Sequence, residues 1–360
     1  MTAPAASPRR RAVVAMSGGV DSSVAAAIVA EGGDEVIGVT LHLAGSASRC
    51  CSLDDADDAR RVAERLGIRF YVANYQERFR EEVTLAFADA YLAGRTPIPC
   101  VACNKLFKFD YLLERARVLG ADRVASGHYA RIDVDPVTGL RRLRRARDAN
   151  KDQTYFLFQL DQAQLAAVEF PLGDLTKRQV REHARALGLV TAEKAESQEI
   201  CFVPDGDYAR VVEALRPTAL PGAGDIVDVE GRVLGTHAGI HHYTVGQRRG
   251  LGLTSEEPLY VRSLDAASNR VVVGTLPQIC RKTALVEAVS WVSGAAPAPG
   301  PVSVRVRYRH AGALATLEVL PDARVRVHFD EPVRAVSPGQ AAVFDAGDVV
   351  LGGGWLAADA

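Results

Sequence analysis

No stretch of this 360-residue chain approaches the ~20 consecutive apolar residues that a membrane span requires. The first eleven residues carry three arginines and no apolar h-region, so a secretory leader is not expected either. A cytoplasmic protein with a frayed tail over residues 1–11 is the expectation. Charge of one sign is also missing, since 43 Lys and Arg stand against 44 Asp and Glu. That balance excludes a globally basic nucleic-acid binder, and any polyanion must be met by local patches. Cysteine is scarce, and in a reducing compartment none of the six is expected in a structural disulfide, so each needs a chemical or a packing explanation. No internal repeat is evident. What remains, 48% hydrophobic and 24% charged residues, is ordinary globular composition, and the length favours two or three domains.

Up to about residue 130 strand-like and helix-like segments alternate. An apolar run, Ala12 to Met16, precedes an alanine-rich helical stretch, Val24 to Ala30. Glu35 to Leu43 and Arg69 to Tyr75 read as buried strands, and Leu53 to Leu66 between them repeats its apolar positions at helical spacing. Ser52 is its expected N-cap, Asp55 stands at the capping-box position and Gly67 is the stop. Helices are expected over Glu77 to Ala93 and Lys105 to Leu119, and a strand over Arg123 to Ser126. A later helix, Lys177 to Leu187, carries a Thr176/Gln179 capping box, a Leu175/Val180 staple and Gly188 as terminator. This alternation implies an α/β class fold, a doubly wound parallel-sheet nucleotide domain with its ligand at the carboxyl ends of the strands. After Pro217, proline- and glycine-marked turns separate short valine-rich runs, which implies two small β domains. The expected boundaries are 12–216, 217–282 and 283–360.

Ser17-Gly18-Gly19-Val20-Asp21-Ser22-Ser23 lies between the first strand and the first helix. Its glycines permit close backbone approach to an anion, and the helix behind offers unpaired N–H groups and a positive dipole end. No Gly-Lys-Ser/Thr ending follows, so this is not the loop that grips β- and γ-phosphates through a lysine. A second constellation, Thr96 to Lys105, contains Cys100 and Cys103 and ends where the Lys105 helix is expected to begin. A helix N-terminus with Lys105 alongside favours the thiolate of Cys103, and a C-x-x-C pair in a reducing compartment points to redox or metal chemistry. Cys201 closes the polar stretch Glu196 to Ile200 against Phe202, and by itself would be assigned to packing, as would Cys280. The adjacent Cys50 and Cys51 are also expected to pack, with a further metal ligand as the alternative.

Together these motifs resemble those of the tRNA-specific 2-thiouridylases, members of the PP-loop ATP pyrophosphatases. The resemblance runs from Val13 to about Leu356 and takes in SGGVDSS, Arg95 to Lys105, Ser126-Gly127-His128-Tyr129, Lys151-Asp152-Gln153, the Cys201 segment, Tyr243 to Arg248 and Pro338-Gly339-Gln340. It implies an adenine nucleotide hydrolase-like domain, a central β domain and a C-terminal β-barrel. The activity it implies is ATP-dependent thiolation of a wobble uridine in tRNA: AMP is placed on the 2-oxo atom with loss of pyrophosphate, and sulfur then displaces it. ATP would be held by Ala15, Met16, Ser17, Gly18, Gly19, Val20, Asp21, Ser22, Leu41 and Gly127, with Asp21 as a ligand to Mg²⁺. Leu41 stands where many relatives have methionine. The resemblance gives tRNA contact to Ile98, Pro99, Cys100, Lys151, Asp152, Gln153, Arg307 and Tyr308. In the common form Cys201 carries a persulfide and Cys103 liberates its sulfur, with a Cys103–Cys201 disulfide alternating with thiols. The sulfur donor is then a persulfide-carrying protein.

The chain departs from that pattern at Cys100, where many members have aspartate, and at Ile98, where they have asparagine. Cys100, Cys103 and Cys201 together have the chemistry to ligate three irons of a [4Fe-4S] cluster, leaving one iron to hold hydrosulfide. Both sulfur routes stay open at this point. The RNA itself is sought at the basic segment Arg141 to Arg147, and at Arg305, Arg307 and Arg309, which alternation with Val304, Val306 and Tyr308 places on one face of a strand. The target uridine should be flipped out of its stack to reach a pocket. A monomer without a membrane partner is expected. Two other classes compete: an amidating synthetase, which shares the loop but has no need of two cysteines, and a nonenzymatic RNA-binding or sulfur-carrying protein.

Overall fold

A computed structural model describes residues 10–44, 53–196, 200–203 and 205–358. The expectations for residues 1–9, for Cys50 and Cys51 and for Ser52 as a cap lie outside them. The chain divides into two compact units, one comprising residues up to 80 with 102–204, the other 81–101 with 205–360. In chain order the first elements are β1 (Arg11–Ala15), α1 (Val20–Glu31), β2 (Glu35–His42), α2 (Leu53–Leu66), β3 (Arg69–Asn74) and α3 (Gln76–Phe79). Then come α4 (Ala86–Leu92), α5 (Pro99–Ala102), α6 (Leu112–Val118), β4 (Arg123–Ser126) and a hairpin of β5 (Ala130–Val134) and β6 (Arg141–Arg145). The first unit closes with α7 (Gln162–Ala167), β7 (Val168–Glu169) and α8 (Lys177–Ala186).

Its core is a five-stranded parallel sheet in the order β3-β2-β1-β4-β7. Ala12, Val13 and Val14 of β1 are wholly buried, as expected for a central strand covered on both faces, whose sequence is a continuous apolar run. α1 is likewise apolar almost all round, and its small residues Ala25, Ala26 and Ala27 are fully buried. From β1 the chain winds outward to β2 and β3, and returns on the other side to β4. The switch point between β1 and β4 therefore places the residues after Ala15 and after Ser126 at one crevice.

Two sequence expectations need correction. β3 is an edge strand and is mostly exposed, Tyr71 at 46% and Val72 at 47%, because it has a neighbour on one side only. Helical conformation begins at Pro99 rather than Lys105, with π-type turns over Cys103–Tyr111. A proline at the first helical position has its φ preset and lacks only an N–H that would be unpaired there. The capping box of α8 is present as expected, with Thr176 and Gln179 bonding reciprocally, and so is one on α7 between Asp161 and Gln164.

The second unit holds α4 and α9 (Tyr208–Leu215), then a sheet of β8 (Gly224–Val227), β9 (Val233–His237), β10 (Tyr260–Asp265) and β11 (Arg270–Gly274) in the order β10-β11-β8-β9. Ile226, Val261, Val271 and Val273 form its buried centre. Six further strands follow: β12 (Cys280–Trp291), β13 (Pro301–Arg305), β14 (Ala313–Val319), β15 (Val325–Arg334), β16 (Ala341–Ala346) and β17 (Val349–Leu356). They run β12-β15-β14-β13-β16-β17, and β12 pairs again with β17, so the sheet closes into a barrel without an unpaired edge. Here Arg305 departs from expectation. It is 3% exposed and forms a bidentate pair with Asp345 (2.6 and 2.8 Å), because β13 ends at Arg305 and the chain leaves strand geometry before Arg309, whose φ is +63°. The three arginines do not share a face, and Arg305 is withdrawn from any RNA surface. Among the described residues no helix is long and apolar enough to cross a membrane.

Candidate active site

The loop after β1 is built by its own side chains. Ser22 Oγ accepts from the Ser17 amide (3.1 Å) and donates to the Gly19 carbonyl (3.1 Å), and Ser23 Oγ donates to the same carbonyl (2.8 Å). Gly19 caps α1 without any side-chain hydrogen bond, so among the described residues no capping side chain occupies the first-turn amides of this 12-residue helix. Those are the conditions under which a helix N-terminus binds an anion. Gly18 has φ +69°, and any Cβ there would collide with the Asp55 carbonyl. Gly127, at the end of β4, packs so closely that a Cβ would stand 2.6 Å from the Ser22 amide nitrogen. Met16 and Leu41 are buried beside the loop strand, at 2% and 5% exposure, and Thr40 Oγ1 donates to the Met16 carbonyl (2.7 Å). The crevice thus gathers the nucleotide residues expected from the sequence.

The structure adds a chain of ion pairs that sequence reasoning missed. Lys177 Nζ, at the start of α8, donates to both carboxylate oxygens of Asp21 (2.8 Å each) and lies 2.9 Å from Glu196. Lys151 reaches the other oxygen of Glu196 at 2.5 Å. Tyr129 OH also donates to Asp21 (2.8 Å), and burial, reinforced by the Asp21 charge, raises its pKa far above the ordinary tyrosine value, so it remains a donor. Burial pushes the Glu196 carboxyl up, but hydrogen bonds from Lys151 and Lys177 outweigh it and hold the pKa at about 2. A carboxylate lowered in this way stabilises the fold above its ordinary pKa of 4.5 and loses that contribution as pH falls through about 2. Thermal unfolding followed from pH 5 to pH 2 should decline more steeply for the wild type than for Glu196→Gln; parallel profiles would show that the pair does not stabilise the fold.

Of the cysteines, Cys100, Cys103 and Cys201 are all half-buried. Cys103 is not at a helix N-terminus, as the sequence suggested: Pro99 and Cys100 occupy that end. Lys105 is also turned elsewhere, donating to Gln164 Oε1 (2.9 Å) with Asp110 and Asp161 at 3.6 and 3.9 Å. Cys201 sits in a turn closed by the Val203 amide to the Ile200 carbonyl (2.8 Å). Phe202 beside it packs edge-on against Phe79, with centroids 5.9 Å apart. Residues 197–199, just before it, lie outside the described ones. Cys280 Sγ donates to the Leu276 carbonyl (3.2 Å), in keeping with a packing role.

Comparison with known proteins decides the family. Residues 10–205 match the model of a tRNA methyl transferase HUP domain, 213–275 a tRNA methyl transferase PRC-barrel domain, and 281–356 an aminomethyltransferase β-barrel domain. The tRNA-specific 2-thiouridylase MnmA of Solibacter usitatus is 52% identical over 97% of this chain and 100% of its own length. Those of Geobacter metallireducens and Chloroflexus aggregans are 50% and 51% identical, over 97% and 96% of this chain and 97% and 98% of theirs. The chain belongs to the tRNA-specific 2-thiouridylase family.

Several motifs of that family meet in the structure. The Arg95-Thr96-Pro97 and Pro338-Gly339-Gln340 runs, far apart in sequence, join within the second unit: the Thr96 amide donates to the Pro338 carbonyl (2.8 Å) and Gln340 Nε2 to the Thr96 carbonyl (3.0 Å). Beside them Thr96, Thr244, Arg307, Arg334 and Gln340 line a cavity of about 460 Å³. Arg307 is exposed there, and the guanidinium of Arg334 stacks 4.5 Å over the Tyr260 ring. Tyr308 is half-buried under Arg309, Ile98 is half-buried and Pro99 buried. In the first unit Lys151 is engaged with Glu196, while Asp152 is buried and accepts from the Ala146 amide (2.9 Å), Thr154 (2.8 Å) and Arg145 (3.3 Å). Gln153 Oε1 accepts from the Tyr129 amide (2.9 Å), so this run braces the tyrosine that holds Asp21. The basic segment is largely compensated. Arg142 and Arg144 both bond Asp133 at 2.7 Å, and these bonds, Arg142 first, hold its carboxyl at about 2 against the effect of burial.

Proposed function

We propose that this chain replaces the 2-oxo atom of a tRNA wobble uridine with sulfur at the expense of ATP. The observation that carries the reading is the uncapped amide cradle of α1, narrowed by Gly18 and Gly127, in the same unit as Cys103 and Cys201. Full-length likeness to 2-thiouridylases supports it. The uridine oxygen attacks the α-phosphorus of ATP, the bond to the β-phosphate breaks and pyrophosphate leaves, held until then by the loop amides. Cys103 thiolate attacks the inner sulfur of a Cys201 persulfide, forming a Cys103–Cys201 disulfide and releasing hydrosulfide. Hydrosulfide adds at C2, AMP departs with the former uridine oxygen, and a dithiol reductant returns two electrons to the disulfide. A persulfide-carrying protein reloads Cys201. Asp21, the acidic residue of the first turn of α1, is the residue to hold Mg²⁺, which would neutralise charge on the departing pyrophosphate; Lys177 must first release it. Arg307, Tyr308 and Lys151 would meet the tRNA. No observation favours a [4Fe-4S] cluster on Cys100, Cys103 and Cys201. The protein would act as a cytoplasmic monomer.

The test is an incubation of the chain with ATP, a persulfide source and unmodified tRNA. The expected result is pyrophosphate release stimulated by tRNA, with one oxygen replaced by sulfur in the nucleosides after digestion. Pyrophosphate release driven by ammonia or glutamine, without tRNA stimulation, would move the chain to the amidating synthetases.

A further inference from the structure

Outside the crevice, α9 presents Glu213 to a short 3₁₀ turn, Ile240–His242, within the second unit. Glu213 Oε1 lies 3.4 Å from His241 Nε2 and 3.5 Å from His242 Nε2, and the two imidazole centroids are 4.2 Å apart. One ligand atom from each of the three residues lies within 4.8 Å of the others. These separations are long for strong hydrogen bonds, which fall at about 2.7–3.2 Å. The two carboxylate–imidazole separations lie close to the edge of a tetrahedron with metal bonds of 2.0–2.1 Å, about 3.3–3.4 Å.

A second observation concerns the buried ring of His241 itself. His241 is 2% exposed, and its Nδ1 has no hydrogen-bond partner among the described residues. A neutral imidazole carries one N–H and one bare nitrogen, so with Nε2 at a long distance from a carboxylate and Nδ1 bonded to nothing, neither tautomer satisfies the buried ring. A cation at Nε2 would turn the weakly bonded nitrogen into a ligand and place the proton on Nδ1, whose N–H would then need a water as its acceptor.

We propose that Glu213, His241 and His242 bind a divalent cation of the zinc class, with a fourth position left to water. Two imidazoles and a carboxylate suit zinc, whereas calcium and magnesium take oxygen ligands. The ion would fasten the C-terminal half of α9 to the turn. At the other end of that helix, Tyr208 OH already donates to the His242 carbonyl (3.1 Å), and its ring stacks on Tyr91 of α4 with centroids 4.4 Å apart. The cation would thus complete a clamp that holds the α4–α9 pair on the turn leading into Tyr243 to Arg248.

The test uses the full-length chain, stripped with a chelator and with its thiols alkylated so that cysteine does not compete. Zn²⁺ is titrated against a chromophoric indicator, and thermal unfolding is followed with and without Zn²⁺. One equivalent should bind and raise the unfolding temperature. Glu213→Gln, which is isosteric, and His242→Ala, at a half-exposed side chain, should each weaken binding by at least the roughly 10–100-fold lost on removing an outer partner of a ligand. Both should retain the apo circular dichroism spectrum. Absence of a bound equivalent in the alkylated wild type, or wild-type affinity in either variant, would overturn the proposal.

Discussion

Gly127→Ala should cut ATP-dependent pyrophosphate release by on the order of 10²-fold, the loss that follows an ångström-scale misplacement of reacting groups. The added Cβ would stand 2.6 Å from the Ser22 amide nitrogen and 2.7 Å from the Asp21 carbonyl carbon. Both are backbone atoms of the first turn of α1, so no side-chain rotation relieves the clash. Either the end of β4 or the helix N-terminus must move, and the amides that face the phosphates move with it. Because the strain is confined to the crevice, the far-UV circular dichroism spectrum should be that of wild type, and tRNA binding measured without ATP should stay within a few-fold. Pyrophosphate release at the wild-type rate would show that these amides do not hold the phosphates. Phosphate contacts that tighten only as charge develops should appear in kcat as well as KM, so both constants are to be measured.

Much of this crevice was legible in the sequence because its parts are local. Ala12 to Met16 is a continuous apolar run, which only a doubly covered strand sustains, and the two glycines after it sit where a strand must hand over to a helix. The Thr176/Gln179 capping box spans three residues and was therefore visible. What could not be read depends on partners distant in sequence. Lys177 and Asp21 are 156 residues apart, and Lys151 and Glu196 are 45 apart. Nothing in the spacing of either lysine announces its partner. Arg305 misled for the same reason: alternation with Val304 and Val306 is the pattern of an exposed face, and it took Asp345 on β16 to draw the guanidinium inward. The start of the helix at Pro99 is signalled by proline's preference for the first position, a cue that the expectation of a helix from Lys105 left out of account. The consequence is chemical, since it removes the helix N-terminus as an activator of Cys103.

Cys103→Ser and Cys201→Ser should each lower tRNA thiolation by at least on the order of 10³-fold while tRNA-stimulated pyrophosphate release persists within a few-fold. The two halves of the reaction separate because adenylation needs the loop, and sulfur delivery needs a nucleophile and a carrier. Serine fails at both positions for different reasons. At 201 an alcohol cannot hold a persulfide sulfur, whereas at 103 it is too weakly ionised near neutral pH to attack one. Gel-shift mass analysis should accordingly show persulfide on Cys103→Ser but none on Cys201→Ser. Cys100 divides the sulfur routes. It occupies the N-terminal turn that the sequence had assigned to Cys103, and under the persulfide route Cys100→Ala should thiolate within about an order of magnitude of wild type. A cluster on three cysteines would instead lose its iron and its activity together in that variant, and anaerobically purified wild type would contain iron and sulfide in the amounts of a [4Fe-4S] centre. Wild-type thiolation by Cys103→Ser or Cys201→Ser would defeat both routes at once, because each requires both sulfurs; loss of pyrophosphate release in these variants would place the cysteines in adenylation instead.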